Sequence, residues 1–265
     1  MTRHIVVSHD NAQMWTDFHG RRNGAGELTT GALRGLPERV DCVITSPPYK
    51  DEDGFSLHNI REVAEALNTI LDGPAWVNFG DLAGQMERAP SVASAFEMEG
   101  FTWHQTIVWA KSMNGHGQYS PNGPKAKRFN THHEYIYLMY PQTWAKRFAL
   151  DRLGIGVPYT DKSNVARWKH AIDKKCPGTI WFIPYTTVQK SEEKAHLHRF
   201  PMELPDRCIR ASCLKPDAWV LDPYGGSGTV AMAAKNLGFN SITYEIDRKM
   251  VDVIEKRIGD IEVIE

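Results

Sequence analysis

The 265-residue chain lacks most of what would mark a membrane protein, a metalloprotein or a strongly charged partner-binding protein. It has four cysteines, Cys42, Cys176, Cys208 and Cys213, and none is spaced as Cys-x-x-Cys. Zinc-ligand spacing is therefore absent, and the thiols are expected to stay reduced in a cytosolic protein. The histidines at His132-His133 and at His196 and His198 stand without the carboxylate or cysteine that would complete a ligand set, so no metal is expected. No run approaches the ~18 apolar residues of a membrane span, and residues 4–8 read as a short strand, not a signal peptide. The formal net charge is -1, so bulk charge neither demands nor excludes a polyanion, and local charge has to be examined instead. There is no internal repeat and no low-complexity tract.

What is present is a regular alternation. Hydrophobic residues make up 42% of the chain, enough for a sizeable core, and the length suits one large α/β domain with a modest insertion. Apolar runs predict strands over 4–8, 40–45, 75–79, 101–109, 134–140, 219–221 and 241–244. Between 57 and 71 the apolar residues Leu57, Ile60, Val63, Ala64, Leu67, Ile70 and Leu71 fall at helical spacing, and Gly73-Pro74 stops the helix. Further helices are predicted over 91–99, 204–214, 229–237 and 248–258, with Gly100 and Gly238 as stops. Strands alternating with helices predict a doubly wound, mostly parallel α/β sheet.

Two stretches break the alternation. Residues 111–133 carry Lys111, Lys125, Lys127 and Arg128 and no acid. Residues 141–175 hold eight basic residues against three acidic ones, a balance of +5, with Trp144, Phe148, Tyr159 and Trp168 interleaved. A near-neutral protein has here concentrated its positive charge. A solvated insertion would explain this; so would a nucleic-acid contact surface, with cations for phosphates and aromatics for bases. On the second reading the contact candidates are Lys125, Lys127, Arg128, Arg147, Arg152, Arg167 and Lys169.

Two turns carry the chemistry. Asp222-Pro223-Tyr224-Gly225-Gly226-Ser227-Gly228-Thr229 lies between a strand and a helix, where glycines let backbone approach a ligand and a helix N-terminus faces it. Glu245 follows the next strand, in the place where an acid accepts from ribose hydroxyls in dinucleotide sites. Yet the turn is not Gly-x-Gly-x-x-Gly, and Asp222 at its mouth would repel a pyrophosphate. An acid there suits a cationic ligand, an amine or a sulfonium. The other turn is Ser46-Pro47-Pro48-Tyr49, directly after a strand. In open α/β sheets ligands bind outside such strand ends.

These two turns resemble the signature motifs of the β-group amino DNA methyltransferases, which methylate N4 of cytosine or N6 of adenine from S-adenosylmethionine. The usual cofactor wording there is Asp-Pro-Phe-x-Gly-Ser-Gly-Thr, and Tyr224 stands here in place of the phenylalanine. Val77-Asn78-Phe79-Gly80-Asp81, His133-Glu134-Tyr135-Ile136 and His198-Arg199-Phe200-Pro201 resemble further family segments, so the likeness covers most of the chain. The resemblance implies a Rossmann-like sheet with the motifs in permuted order, catalytic loop first and cofactor turn last. That order argues against glutamine-methylating relatives, whose Asn-Pro-Pro-Tyr loop follows the cofactor turn. It implies that Asp222, Pro223, Tyr224, Gly225, Gly226, Ser227, Gly228, Thr229, Glu245, Asp81, Phe200 and Pro201 hold S-adenosylmethionine, although Phe200 alone reads equally as core. It implies catalysis by Ser46, Pro47, Pro48 and Tyr49: acceptors for the amino hydrogens, and an aromatic face for an extruded base.

On the same resemblance, residues 1–140 and 178–265 form the catalytic domain and 141–177 the target-recognition insertion. The implied partner is double-stranded DNA, with a homodimer and a cognate restriction endonuclease as family companions. The implied location is the cytoplasm of a bacterial cell or of a virus-infected host cell. Serine at position 46 favours cytosine N4, with adenine N6 as the alternative and a catalytically inactive DNA-binding relative as a further one. A dinucleotide oxidoreductase is the competing class.

Overall fold

The computed structural model describes residues 2–22, 28–30, 33–112, 127, 129–142, 155–158, 174–184, 200–213 and 215–265. In chain order its strands are β1 (His4–Val7), β2 (Arg21–Arg22), β3 (Leu28–Thr30), β4 (Cys42–Thr45), β5 (Ala75–Phe79), β6 (Phe101–Ala110), β7 (His133–Pro141), β8 (Val157–Pro158), β9 (Lys174–Lys175), β10 (Ile180–Phe182), β11 (Trp219–Asp222), β12 (Asn240–Tyr244) and β13 (Glu262–Ile264). Its helices are α1 (Met14–His19), α2 (Leu57–Ile70), α3 (Arg88–Met98), α4 (Glu203–Ser212), α5 (Thr229–Leu237) and α6 (Arg248–Ile258).

Among the described residues nine strands form one sheet, in the order β10-β6-β7-β5-β4-β11-β12-β1-β13. Every pairing in it is parallel except those of β7, which runs antiparallel to both β5 and β6. Alternate residues of a strand point to opposite faces. Val43, Val77, Leu221 and Ile242 accordingly join one buried cluster with α1, α2 and α3. Cys42, Ile44, Trp76 and Val220 join another with α4 and α5, and α6 packs on that same side against Val6. Both faces are covered, which is why β4 and β5 are buried at every position.

Local signals set the helix ends. The Ser56 hydroxyl accepts from the Asn59 N–H to cap α2, Asp247 accepts from the Lys249 N–H to cap α6, and Gly238 closes α5 at a φ of 78°. Helix α3 begins at Arg88, three residues before the sequence reading, because Pro90 fits within a first turn and does not delay it. Strand β4 starts at Cys42, and Val40 contributes only an isolated bridge to Leu71. Cys42, Cys208 and Cys213 are buried free thiols and Cys176 an exposed one. No helix among the described residues is long and apolar enough to cross a membrane.

The connections place the site. From β4 the chain passes through α2 on one face to β5; from β11 it passes through α5 on the other face to β12. Since β4 and β11 are neighbours, their loops part in opposite directions and leave a crevice at the carboxyl ends of the two strands. The two-sided core makes its own prediction. Leu67→Ala, at a fully buried position of α2, should cost about 2–5 kcal/mol, whereas Leu57→Ala, 39% exposed on the same helix, should stay within about 0.5 kcal/mol of wild type. Urea unfolding midpoints of the two variants check this.

Candidate active site

Two turns far apart in sequence meet at this crevice. Val220 pairs with Cys42 and Leu221 with Val43, so β4 and β11 end side by side. At their ends the Thr45 hydroxyl donates to Asp222 Oδ1 at 3.0 Å. The Tyr224 N–H donates to the same oxygen at 3.1 Å. Asp222 is only 3% exposed. Burial pushes its carboxyl up to about 7, against the pull of those two hydrogen bonds and with the help of the Glu245 charge. Among the described residues no cation is paired with this buried acid.

The glycine turn is tied down from several sides. The Gly225 N–H donates to the Tyr244 carbonyl at 2.8 Å. A Cβ on Gly225 would lie 2.1 Å from Thr243 Cγ2, so only glycine allows the turn to press this closely on β12. Glu245 accepts from the Gly226 N–H at 2.7 Å through Oε2 and from the Asp247 N–H at 2.8 Å through Oε1. The Ile246 N–H also acts on this carboxylate, which still has lone-pair capacity for a further donor. Burial raises the Glu245 carboxyl as well. Arg257 reaches from α6 to the Ser227 carbonyl and hydroxyl. On the other flank Asn11 donates to the Pro223 carbonyl at 2.7 Å, Asn59 donates to Asn11, and the Tyr224 hydroxyl donates to Asn59.

The Ser46–Tyr49 loop is held by side chains from three elements. Pro47 is buried, and Ser46, Pro48 and Tyr49 are half-buried. The Tyr49 ring lies 4.3 Å from that of Phe79 at a tilt of 31°. Its hydroxyl lies 3.0 Å from Glu134 Oε2, 3.2 Å from Asn78 Oδ1 and 3.4 Å from Ser46 Oγ. Burial, reinforced by the Glu134 charge, raises that hydroxyl well above the ordinary tyrosine range, so it stays protonated. Glu134 is in turn ion-paired with Lys111. From α3, Arg88 donates to the Tyr49 carbonyl at 3.0 Å and binds both oxygens of Asp51, while its guanidinium lies 4.5 Å from the Phe55 ring centroid.

The structure thus brings together Ser46, Pro47, Pro48, Tyr49 and the whole turn from Asp222 to Thr229, with Glu245 behind it. Asp81 sits just past β5, where it accepts from the Tyr135 hydroxyl at 3.0 Å and lies 3.8 Å from His133. Phe200 is buried in the α4-side core, and half-buried Pro201 leads into α4. Lys127 is exposed. Lys125, Arg128, Arg147, Arg152, Arg167 and Lys169 lie outside the described residues, as do His196, His198 and most of 141–177. Among the described residues no group of three or more His, Cys, Asp or Glu could hold a metal ion.

Sequence reasoning did not single out Asn11, Asn59, Asn78, Arg88, Lys111, Glu134 or Arg257 for the site. Asn78 carried a usable signal, an amide inside the otherwise apolar Ala75-Trp76-Val77-Asn78-Phe79, since a buried strand amide needs partners. The others are ordinary surface types whose roles come from distant contacts.

The chain is similar to several known proteins. The sequence model of a family described as DNA methylase matches residues 40–256. Type II methyltransferase M.BglII of Bacillus subtilis is 27% identical over 246 residues, covering 85% of this chain and 65% of the relative. Type II methyltransferase M.MjaI of Methanocaldococcus jannaschii is 31% identical over 199 residues, covering 72% of this chain and 62% of the relative. The chain therefore spans somewhat less than two thirds of the length of these two relatives. Among solved structures, PvuII DNA methyltransferase (cytosine-N4-specific) has a TM-score of 0.62 at 16% identity, covering 100% of this chain and 95% of that one. The complex of M1.HpyAVI with SAM has a TM-score of 0.59 at 19% identity, covering 96% and 100%. At these identities the structural likeness speaks to the fold.

The close approach of Gly225 to β12 is testable. Gly225→Ala should destabilise the chain by about 1–3 kcal/mol, the cost of overpacking, and weaken ligand binding at the turn. Thr243→Ala removes the methyl that the new Cβ would meet, and in the Gly225→Ala background it should recover part of the lost stability. Thermal melts of the two single variants and the double variant check this.

Proposed function

The chain belongs to the DNA methylase family, and on that premise we propose that it transfers a methyl group from S-adenosylmethionine to the exocyclic N4 of a cytosine extruded from double-stranded DNA. The observation that carries the reading is the Thr45–Asp222 hydrogen bond, which sets the Ser-Pro-Pro-Tyr loop and the glycine turn side by side. The residues present fit the cofactor. Asp222 is a carboxyl raised to about 7 by burial and by the Glu245 charge, and a ligand carrying an ammonium and a sulfonium would favour its ionised form. Glu245 has lone-pair capacity to spare for ribose hydroxyls beyond its bonds to backbone N–H groups. Ile246, 71% exposed directly after Glu245, offers an apolar surface for a purine ring.

When bound, S-adenosylmethionine would supply a methyl on a positively charged sulfur; the sulfur would keep the bonding pair of the broken C–S bond, and the nitrogen that takes the methyl would release one of its two protons to solvent. The protein has to make an amino group nucleophilic although its lone pair is delocalised into the ring. Ser46 Oγ and the Pro47 carbonyl accept from the two amino hydrogens and draw the nitrogen toward a reactive geometry. Neither proline has an N–H, so the Ser46–Pro47 and Pro47–Pro48 peptide groups offer the base acceptors and no donor. Tyr49, braced on Phe79, gives the base a ring to stack on. Catalysis is then positioning and charge arrangement, with no covalent enzyme intermediate.

By resemblance, Thr-Ser-Pro-Pro-Tyr goes mostly with cytosine and Asp-Pro-Pro-Tyr with adenine, and Ser46 supports cytosine on that ground. The basic stretch over 141–177, with its interleaved aromatics, is the natural reader of the DNA sequence. Digestion of methylated DNA to nucleosides tests the base choice: N4-methyldeoxycytidine is expected, and N6-methyldeoxyadenosine as the only product overturns it. Calorimetry should show binding of S-adenosylmethionine and none of NAD. Ser46→Ala should slow methyl transfer about 100-fold or more, the usual worth of a positioned acid–base group, with cofactor affinity unchanged.

The Asp222 carboxyl sets a pH dependence. A cationic ligand binds its ionised form, which grows as pH rises through about 7. Affinity for S-adenosylmethionine should therefore tighten several-fold between pH 6 and pH 7.5, roughly in proportion to the ionised fraction, and Asp222→Asn should flatten the trend. Without ligand the sign reverses. The unfolded chain ionises Asp222 near 3.8 and the folded chain near 7, so its contribution to stability is lost as pH climbs between those values. Calorimetric titrations and thermal melts over that pH range measure the two trends.

A further inference from the structure

The methyl-transfer reading needs Ser46 to accept a hydrogen bond from the base, but a hydroxyl can equally well donate. We infer that Glu134, acting through Tyr49, fixes the direction of the Ser46 hydroxyl and makes it an acceptor; the inference rests on that reading. Lys111, which can only donate, occupies Glu134 Oε1. The other carboxylate oxygen, Oε2, faces the Tyr49 hydroxyl at 3.0 Å and has no proton to offer, so Tyr49 donates to it. Asn78 Oδ1, at 3.2 Å, is a second acceptor facing the same hydroxyl, since the Asn78 amide nitrogen is engaged with the Tyr135 carbonyl. Whichever of the two takes the larger share, the single Tyr49 proton is drawn away from Ser46, and a carboxylate is the stronger attractor. The Tyr49 oxygen then has a lone pair for Ser46, whose Oγ lies 3.4 Å away and donates to it. That bond is long, as catalytic hydrogen bonds often are before substrate arrives. With its proton committed to Tyr49, Ser46 presents lone pairs to the crevice.

The local packing is built around this chain of bonds. A Cβ on Gly80 would lie 2.8 Å from Glu134 Cγ and 3.2 Å from Tyr49 Cε2, so the glycine leaves room for the carboxylate to reach the tyrosine. Glu134 and Lys111 are both largely buried, at 14% and 20% side-chain exposure, so solvent screens the pair little. Glu134 is a positioning residue: it lies one side chain removed from the base and acts through Tyr49.

Glu134→Gln tests this with little change of shape. Lys111 will turn the amide oxygen toward itself, leaving the amide N–H₂ facing Tyr49. Tyr49 must then accept from it, and only the neutral Asn78 Oδ1 at 3.2 Å still draws the Tyr49 proton, which is now shared between Asn78 and Ser46; in part of the molecules the Ser46 proton is turned toward the base. Methyl transfer from tritiated S-adenosylmethionine into DNA should show kcat lower by roughly three- to tenfold, the scale of one hydrogen bond misdirected in part of the molecules. The KM for S-adenosylmethionine should be unchanged. In a Tyr49→Phe background the same substitution should have no further effect on kcat, because the link to Ser46 is already cut; a merely structural role would add its loss in full. Glu134→Asp, which keeps an anionic acceptor, should recover part of the kcat lost in Glu134→Gln, and this comparison stands in if the glutamine variant does not fold. Wild-type kcat in Glu134→Gln, additive losses in the double variant, or an aspartate variant no faster than the glutamine one would each overturn the inference. A wild-type chain that transfers no methyl group to DNA overturns the methyl-transfer reading itself and the inference with it.

Discussion

The pairing of β4 with β11 is the constraint on which everything else in the molecule depends. The hydrogen bond that closes it joins Thr45 to Asp222 across 177 positions of sequence. Parallel neighbours cannot be joined by a tight turn and need crossovers between them. Here the neighbours come from opposite ends of the chain, and what lies between includes β5, β6, β7 and β10, which extend the sheet outward from β4. Each of the two strands sends its following helix to a different face, so neither of these two helices crosses the gap above the strand ends. The crevice is a consequence of connectivity. Chemistry enters because the residues that happen to follow β4 and β11 are Ser46-Pro47-Pro48-Tyr49 and Pro223-Tyr224-Gly225.

The two sides of the crevice are held by different means. The glycine turn is fixed by backbone groups: Gly225 to Tyr244, Gly226 to Glu245, Pro223 to Asn11. Glycine leaves no side chain to do the holding, so neighbouring side chains and carbonyls must satisfy the exposed backbone. The proline-rich loop has fewer N–H groups to satisfy, and it is fixed through its tyrosine: the ring by Phe79, the hydroxyl by Glu134, the carbonyl by Arg88. One side is a rigid cradle. The other is a platform whose polarity is set by side-chain charges, which is what a loop acting on an amino group needs.

Legibility from sequence followed how local each signal is. The central strands were readable because short apolar runs bounded by turn residues mark strands buried on both faces, and Val43, Val77 and Leu221 are such residues. The antiparallel direction of β7 was not, because composition carries no sign of strand direction. The helix α1 and the edge strand β13, of six and three residues, are too short for periodicity to register. In the site, the turns from Ser46 to Tyr49 and from Asp222 to Thr229 announced themselves through proline and glycine, whose effects act on the residues beside them. Glu134 and Arg88 did not, since nothing around them in sequence says that they reach Tyr49. The basic residues between 141 and 175 remain a compositional reading.

A neutral residue at position 46 also makes electrostatic sense of its surroundings. The Glu245 charge already raises Asp222 on top of burial, and Glu245 is itself raised by burial and by the Asp247 charge. Position 46 adjoins Thr45, which bonds Asp222 directly. A carboxylate at 46 would be a third anion on the same crevice and would push Asp222 further up, loosening its hold on a cation at neutral pH. A serine avoids that, at the cost of an acceptor that is weaker and free to turn. In this chain the compensating negative charge sits one tyrosine away, on Glu134, where Lys111 neutralises it. The hydroxyl of Tyr49 then carries direction from that carboxylate to Ser46 without carrying its charge into the cofactor side of the crevice.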